Sequence, residues 1–204
     1  MTDYFDQEAA GWDADPVKVE RARTVAQAIR ENVSLTTNST ALEYGCGTGL
    51  LSFALQPYLG QITLADNSSG MLAVLDKKIA ASGIGNMTSM KADFSTDPLP
   101  QTKYQLIYSL MTLHHIPDTD KILEDFYTLL ETPGCLCVAD LEKEDGSFHG
   151  PDFFGHKGFD RQELSQKVLR AGFRKVTFKP VFQMPKIVGS SRNFFPIFLM
   201  IAEK

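Results

Sequence analysis

The sequence predicts an α/β protein with a parallel sheet and helices on both faces, and three observations support this fold class. Strand-like and helix-like segments alternate from Thr40 to Leu141, which is the pattern of a parallel sheet. A glycine-rich stretch, ALEYGCGTGLL at residues 41–51, joins the first predicted strand to a helix. The 204 residues are 43% hydrophobic and 22% charged, a composition typical of a globular protein with a sizeable core.

Local patterning predicts each element in order. Apolar residues three or four positions apart indicate helices, and short apolar runs bounded by turn residues indicate strands. Pro16 suits the first turn of the first helix, and Gly172 suits the position just after the last helix. The predicted strands are 40–44, 61–65, 87–92, 104–111, 135–141, 173–179 and 193–202. The predicted helices are 17–32, 49–59, a segment from an Asn67 or Ser68 cap to 81, a segment from Pro117 to the Pro133-Gly134 pair, and 160–171.

Composition disfavours several classes of partner and location. The net charge of −5 argues against binding to a phosphate backbone, which needs a basic face. The acidic start, MTDYFDQEAAGWD, is unlike a signal peptide, and no apolar run approaches the roughly 20 residues that span a bilayer. Three cysteines without framework spacing do not suggest disulfides. We therefore expect a cytoplasmic protein that binds neither nucleic acid nor membrane.

The three glycines at positions 45, 47 and 49 predict a nucleotide-type pocket. A strand, a glycine loop and a helix together let backbone N–H groups face a ligand at the helix N-terminus. A turn without a ligand remains an alternative, because glycine motifs alone are weak signals. A dinucleotide site requires G-x-G-x-x-G, and Leu50 stands where its third glycine belongs.

Several motifs, in this order, resemble those of the class I S-adenosylmethionine-dependent methyltransferases, in their small-molecule, type 11/12-like branch. LEYGCGTG (42–49) is similar to the nucleotide loop of that family, acid-x-G-x-G-x-G. LADNSSGML (64–72) and KADF (91–94) are similar to the ends of its second and third strands. The resemblance continues through YQLIYSLMTLHHIPD (104–118), LLETPGCLCVADL (129–141) and DRQELSQKVLRAGF (160–173), and so covers nearly the whole chain.

The resemblance implies a Rossmann-like, doubly wound, mostly parallel seven-stranded sheet with an antiparallel C-terminal strand. It implies S-adenosylmethionine as cofactor and S-adenosylhomocysteine as product. Asp66 is expected to take both ribose hydroxyls, Asp93 to accept from the adenine amino group, and Phe94 to flank the adenine ring. The expected cofactor-binding residues are Glu43, Gly45, Cys46, Gly47, Gly49, Asp66, Asn67, Met71, Asp93, Phe94 and Leu110.

The chain departs from the family pattern at two positions. Gln105 stands where the family often has an aspartate, at a position that is usually structural. Asn67 occupies the place beside Asp66 where a second acid is common, and its amide can hydrogen-bond instead.

One domain is expected over residues 1–204, because the sequence shows no repeat and no linker. The resemblance divides it into an N-terminal lid and helix (1–39), a cofactor-binding core (40–141), and an acceptor-side loop with the C-terminal strands (142–204). Aromatic residues before the first predicted helix, such as Trp12, and after the fifth predicted strand, such as Phe153, suit a lid that excludes water. Ordinary core packing is the alternative.

Charge separates the two nucleotide hypotheses. The sulfonium ligand is a cation with an ammonium group, and an acid at Glu43 favours both while it would repel a pyrophosphate. The glycine loop together with Glu43 therefore favours S-adenosylmethionine over a nicotinamide dinucleotide.

The acceptor side is harder to predict, because methyl transfer from a sulfonium depends largely on positioning. His115, His149 and His156 follow the fourth and fifth strands and are candidate catalytic residues, either as bases or as groups that orient the acceptor. The alternative for His115 is a bond to backbone. We expect no metal site, since no tight ligand spacing is present, and the acidic run at 140–145 is read as a solvated loop.

The methyl acceptor is expected to be a small molecule. The fourth strand ends in Ser109-Leu110-Met111-Thr112, without the Asn/Asp-Pro-Pro-aromatic run of enzymes that methylate exocyclic or amide nitrogens. The acceptor and the methylated atom are not determined by the sequence, and a monomer is the default. A non-catalytic S-adenosylmethionine-binding or protein-interaction module with the same fold is the alternative function.

Overall fold

The computed structural model describes residues 2–204, so residue 1 of the predicted N-terminal segment lies outside the described residues. One seven-stranded sheet organises them. Its strands are β1 (Ala41–Tyr44), β2 (Ile62–Asp66), β3 (Met87–Lys91), β4 (Tyr104–Leu110), β5 (Leu130–Leu141), β6 (Arg174–Val188) and β7 (Ser191–Glu203). The α-helices are α1 (Thr2–Glu8), α2 (Pro16–Asn32), α3 (Leu50–Leu55), α4 (Ser69–Ser82), α5 (Thr119–Leu129) and α6 (Arg161–Arg170).

The sheet is doubly wound, as predicted. Its strand order is β3-β2-β1-β4-β5-β7-β6, in which β1 to β5 are parallel and β7 runs antiparallel to both β5 and β6. The order reverses between β1 and β4. In open α/β sheets, ligands bind beyond the carboxyl ends of the strands at this reversal.

Helices cover both faces of the sheet and bury two apolar clusters. On one face α2, α3 and α4 contribute side chains such as Val25, Leu51 and Leu75. On the other face α5 and α6 contribute side chains such as Phe126 and Val168. The parallel strands are buried from both sides, which is why they read as short continuous apolar runs.

The N-terminal segment lies across the glycine loop and the start of α4. Asp6, on α1, accepts hydrogen bonds from Ser68 Oγ (2.6 Å) and from the backbone N–H of Gly70 (2.7 Å). Asp13, in the 3₁₀ turn Ala9–Ala14, accepts from Thr48 Oγ1 and forms an ion pair with Lys78 at 2.5 Å. These bonds attach the N-terminal segment, which is predicted to be a lid, to α4 and, through Thr48, to the glycine loop.

Helix boundaries differ from the sequence prediction where prolines and caps intervene. The helix expected over 49–59 ends at Leu55 and continues as a 3₁₀ turn over Gln56–Tyr58, because Pro57 lacks an N–H for the helix. The helix expected from Pro117 begins at Thr119, because the Asp118 side chain caps it by accepting from the N–H of Lys121. Ser68, not Asn67, caps α4.

Strand boundaries differ most at the C-terminal half. The Pro133-Gly134 pair was expected to lie between α5 and β5, but β5 begins at Leu130 and includes both residues. The strands expected at 173–179 and 193–202 form a much longer hairpin, with β6 paired to β7 as far as Val188 and Ser191. Pro180 and Pro185 lie within β6 and weaken its strand pattern in the sequence. The structure tolerates them because β6 is an edge strand of the sheet.

Among residues 2–204, no helix is both long and apolar enough to cross a bilayer. All three cysteines are free, as expected, and Cys137 is fully buried.

Candidate cofactor and acceptor site

A cavity of about 980 Å³ opens at the carboxyl ends of the parallel strands, beside the point where the strand order reverses. Its walls come from the glycine loop, the ends of β2, β3 and β4, the N-terminal segment, α2, the segment after β5, and the outer part of β6. Eleven of the predicted site residues line it: Glu43, Gly45, Cys46, Gly47, Asp66, Asn67, Met71, Asp93, Leu110, His115 and His149.

Two of the glycines are required for different reasons. Gly45 has φ +72°, and a Cβ there would lie 2.2 Å from Thr112 Cγ2, so only glycine lets the loop pack against Thr112. Gly47 has φ +52°, and a Cβ there would have Met71 Sδ (3.9 Å) and Trp12 Nε1 (4.0 Å) as its nearest neighbours. The space next to Gly47 is therefore open to a ligand.

Asp66 connects the end of β2 to the glycine loop. Its carboxylate accepts from the N–H of Gly47 (2.7 Å) and from the N–H of Ser68 (2.8 Å), one bond to each oxygen. Burial raises the pKa of Asp66, and these backbone hydrogen bonds oppose that rise. Each carboxylate oxygen has a second lone pair, so the group can still accept from a diol.

Asp93 lies at the end of β3 within reach of Asn67. Its carboxylate accepts from Asn67 Nδ2 (3.1 Å) and from the N–H of Ser95 (3.0 Å). Burial raises the pKa of Asp93, but the hydrogen bonds from Asn67 and Ser95 outweigh it and hold the pKa below its usual value. Asp93 is thus an ionised acceptor, and Asn67 orients it.

Glu43 is buried beneath the glycine loop. Its carboxylate accepts from the N–H of Ser52 (3.2 Å) and from Ser52 Oγ, and Ser52 Oγ also bonds Tyr108 Oη (2.5 Å). Burial raises the pKa of Glu43 to about 8, although the bonds from Ser52 oppose the shift. Without a cation nearby the carboxyl group is therefore largely protonated at neutral pH, and a bound cation would favour its ionised form.

Replacing Glu43 with glutamine should make the protein more stable at alkaline pH relative to the wild type. The folded state holds a proton on Glu43 up to about pH 8, whereas the ordinary pKa of a glutamate, which applies to the unfolded chain, is 4.5. The wild type therefore loses free energy of unfolding as pH rises between these values, and Glu43→Gln removes that loss. Urea denaturation at pH 5 and pH 8 measures the difference; an equal difference between variant and wild type at both pH values would contradict the assignment.

Three predicted site residues lie away from this cavity. Phe94 is buried and stacks on Tyr44, with ring centroids 4.6 Å apart, instead of facing the cavity. Gly49 caps the N-terminus of α3, and a Cβ there would contact Leu75. His156 bonds the carbonyl oxygens of Ile116 and Pro117 and lines a separate cavity of about 280 Å³.

Histidines from two segments meet on one side of the large cavity. His114 and His115 belong to a 3₁₀ turn after β4, Leu113–His115, and His149 lies in the segment after β5. His114 Nε2 is 3.0 Å from His149 Nε2, and His114 Nδ1 is 2.6 Å from Asp140 Oδ1. The sequence prediction of a solvated loop over 140–145 is wrong for Asp140, which is a fully buried residue of β5 because that strand is covered on both faces.

Arg21 is a further residue that sequence analysis missed. It lies on α2, is only 7% exposed and lines the cavity. Its Nη1 contacts Met184 Sδ at 3.6 Å, and its Nε has no hydrogen-bond partner within the part of the chain that the structure describes. Its spacing from Val25 and Ile29 places it on the buried stripe of α2, which was a usable signal.

The outer part of the β6–β7 hairpin forms the cavity wall near these histidines. Met184, Pro185, Lys186 and Ile187 line the cavity, and Lys186 Nζ donates to the carbonyl of Phe148. On the opposite side Phe5 contacts both Trp12 (5.9 Å between centroids) and His115 (5.5 Å). Aromatic side chains therefore form part of the cavity wall on this side.

Comparison with known proteins agrees with this geometry. Residues 41–134 match a family model described as a methyltransferase domain. An uncharacterised methyltransferase of Schizosaccharomyces pombe is 32% identical over 139 residues, which are 60% of this chain and 49% of that protein. The ubiquinone/menaquinone biosynthesis C-methyltransferase UbiE of Psychromonas ingrahamii is 33% identical over 104 residues, 49% of this chain and 41% of that protein. The chain thus spans less than half the length of these two relatives.

A solved structure shows the same fold over nearly the whole chain. It is a SAM-dependent methyltransferase from Aquifex aeolicus, with a TM-score of 0.69 at 20% identity, covering 96% of this chain and 97% of that one. The fold and the cavity define an α/β protein with a nucleotide-type pocket. The match of residues 41–134 to a methyltransferase domain makes this chain similar to the S-adenosylmethionine-dependent methyltransferases over that region.

Proposed function

We propose that this protein transfers a methyl group from S-adenosylmethionine to a small-molecule acceptor by in-line displacement. One observation carries the proposal: Glu43, Asp66 and Asp93 converge with the open face of Gly47 on one cavity. This set of groups fits the cofactor. The two carboxylates at strand ends are acceptors for a diol and an amino group, and the buried acid favours a cation.

Each proposed cofactor-binding role is assigned from the part of the cavity wall where the residue lies. Asp66 would hold the ribose hydroxyls, Asp93 with Asn67 the adenine amino group, and Glu43 would favour the positively charged end. Gly45, Cys46, Gly47, Gly49, Met71, Phe94 and Leu110 remain the other proposed cofactor residues, with Gly49 and Phe94 acting through loop and core packing. Bound S-adenosylmethionine supplies the methyl group on a good leaving group, so the protein needs mainly to align the acceptor and exclude water.

The acceptor is proposed to lie between the histidines, Arg21 and the outer part of β6. His115 and His149 line this side, whereas the bonds of His156 to Ile116 and Pro117 favour a positioning role for it. Arg21 supports an acceptor that carries an anionic group, because a buried guanidinium with an unsatisfied Nε suits a carboxylate or phosphate. The N-terminal segment, held by Asp6 and Asp13, is proposed as the lid.

Small-molecule acceptors are favoured by the relatives, among which UbiE is named for ubiquinone and menaquinone biosynthesis. The acid-rich composition, with a net charge of −5, disfavours nucleic acid as the acceptor. A cytoplasmic monomer remains a prediction from the sequence.

A thermal shift series tests the proposed cofactor. S-adenosylmethionine and S-adenosylhomocysteine should each raise the melting temperature, and NAD should not. A ligand at 100 times its dissociation constant adds about 2.7 kcal/mol to the free energy of unfolding. A shift with NAD alone would contradict the proposal, and a shift without methyl transfer to any acceptor would favour the non-catalytic binding module.

A further inference from the structure

Three histidines converge at the acceptor end of the cavity. One nitrogen from each of His114, His115 and His149 lies within 4.8 Å of the others. The closest pair is His114 Nε2 and His149 Nε2, 3.0 Å apart. Nitrogens bound 2.0–2.1 Å from one tetrahedral Zn²⁺ are about 3.3 Å apart, so rotations of the partly exposed His115 ring and the exposed His149 ring toward the buried His114 would bring all three to such distances.

Asp140 is the hydrogen-bond partner that a metal-binding histidine usually has on its other ring nitrogen. Its carboxylate is fully buried and is 2.6 Å from His114 Nδ1, which therefore carries the proton that it donates to Asp140. His114 Nε2 then directs its lone pair toward His149. Asp140 is itself held by the N–H groups of Leu141 (2.7 Å) and His114 (3.2 Å).

We propose that His114, His115 and His149 form a binding site for a divalent transition metal of the Zn²⁺ type. Three protein nitrogens leave the fourth tetrahedral position for water or substrate, as in catalytic zinc sites. His114, His115 and His149 all line the cavity, so an ion bound by them would be accessible from it. Imidazole ligands suit zinc-like ions, whereas Mg²⁺ and Ca²⁺ prefer oxygen.

A metal ion at this site restricts which chemical class of acceptor can react. This inference rests on the proposed function. An acceptor hydroxyl or thiol that binds the metal loses its proton to solvent more readily. Its lone pair then forms the bond to the methyl carbon, and the electrons of the broken carbon–sulfur bond go to the sulfonium sulfur. The metal-binding side of the cavity therefore selects acceptors with an oxygen or sulfur nucleophile.

Titration of the chelator-treated full chain with Co²⁺ tests the site without any acceptor. One equivalent should bind and produce the visible absorption of tetrahedral Co²⁺, and Zn²⁺ should displace it. His149→Ala should abolish this absorption, with His149→Gln as a second variant should the first fail to fold. Asp140→Asn should weaken Zn²⁺ binding by roughly 10- to 100-fold, the usual effect of removing an outer partner.

His156→Ala is the matched control, because His156 lies in the same segment as His149 but lines the other cavity. It should bind Co²⁺ like the wild type. Absence of stoichiometric binding, or wild-type binding by both His149 variants, would overturn the metal site and leave a hydrogen-bonded Asp140–His114–His149 chain. S-adenosylhomocysteine affinity, measured on the same samples, separates this failure from failure of the proposed function.

Discussion

Asp66→Ala should lower the affinity of the protein for S-adenosylmethionine at least about tenfold. The expected contact is bidentate and charged, and hydrogen bonds to charged groups contribute ~1.5–3 kcal/mol each, where ~1.4 kcal/mol is a factor of ten. Isothermal titration calorimetry measures the change. The structure adds a second reason, since the same carboxylate holds the N–H of Gly47 and so fixes the cofactor loop.

One further variant separates the loss of the ribose contact from the loss of the loop contact, and a second serves as the control. Asp66→Asn keeps the shape and one acceptor oxygen, so it should retain more of the loop geometry while losing the charge. Asp76→Ala is the control, because Asp76 is exposed on α4 and its carboxylate accepts from Ser89 instead of lining the cavity. Unchanged affinity in Asp66→Ala would show that Asp66 does not hold the ribose.

Arg21→Met should leave the free energy of unfolding unchanged or raise it, while it removes anion binding in the cavity. Burial lowers the pKa of Arg21 to about 10, although the charges of Asp15 and Asp140 oppose that shift, so the group is still charged at neutral pH. Replacing a buried, poorly paired charge with an apolar side chain of similar length is often stabilising by roughly 1 kcal/mol or more. A buried guanidinium that lowers the free energy of unfolding is expected to serve the function of the protein.

Urea denaturation and a phosphate titration measure the two halves of this prediction. With S-adenosylhomocysteine present, inorganic phosphate should raise the melting temperature of the wild type but not that of Arg21→Met. Arg23→Met is the control, since Arg23 is exposed two residues away on α2. A large loss of stability in Arg21→Met would identify Arg21 as a structural residue and remove the support for an anionic acceptor.

The proximity of the proposed cofactor-binding residues was largely predictable from sequence because each lies beside a strand end. The glycine loop, Asp66 and Asp93 each lie directly at the end of a short apolar strand, and parallel strands bring such ends to one edge of the sheet. Phe94 shows the limit of this reasoning. It follows Asp93 directly in sequence, but its ring direction depends on packing against Tyr44, which is 50 residues earlier in the chain.

The acceptor half depended on contacts between distant segments. His114 and His149 are 35 residues apart, and their meeting requires the fold of the whole segment after β5. The long β6–β7 hairpin was underpredicted because its prolines weaken the strand pattern, whereas pairing along an edge overrides that local preference.

By itself, the sequence determined the fold class, the cofactor loop and the order of the carboxylates, since these follow from periodicity and from residues adjacent to strand ends. Only the tertiary structure decided which polar groups face the acceptor. It buried Arg21 against Met184, placed His149 beside His114, and directed His156 to a different cavity. The physical reason is that strand ends are local features, whereas the burial and pairing of a side chain depend on every element packed around it.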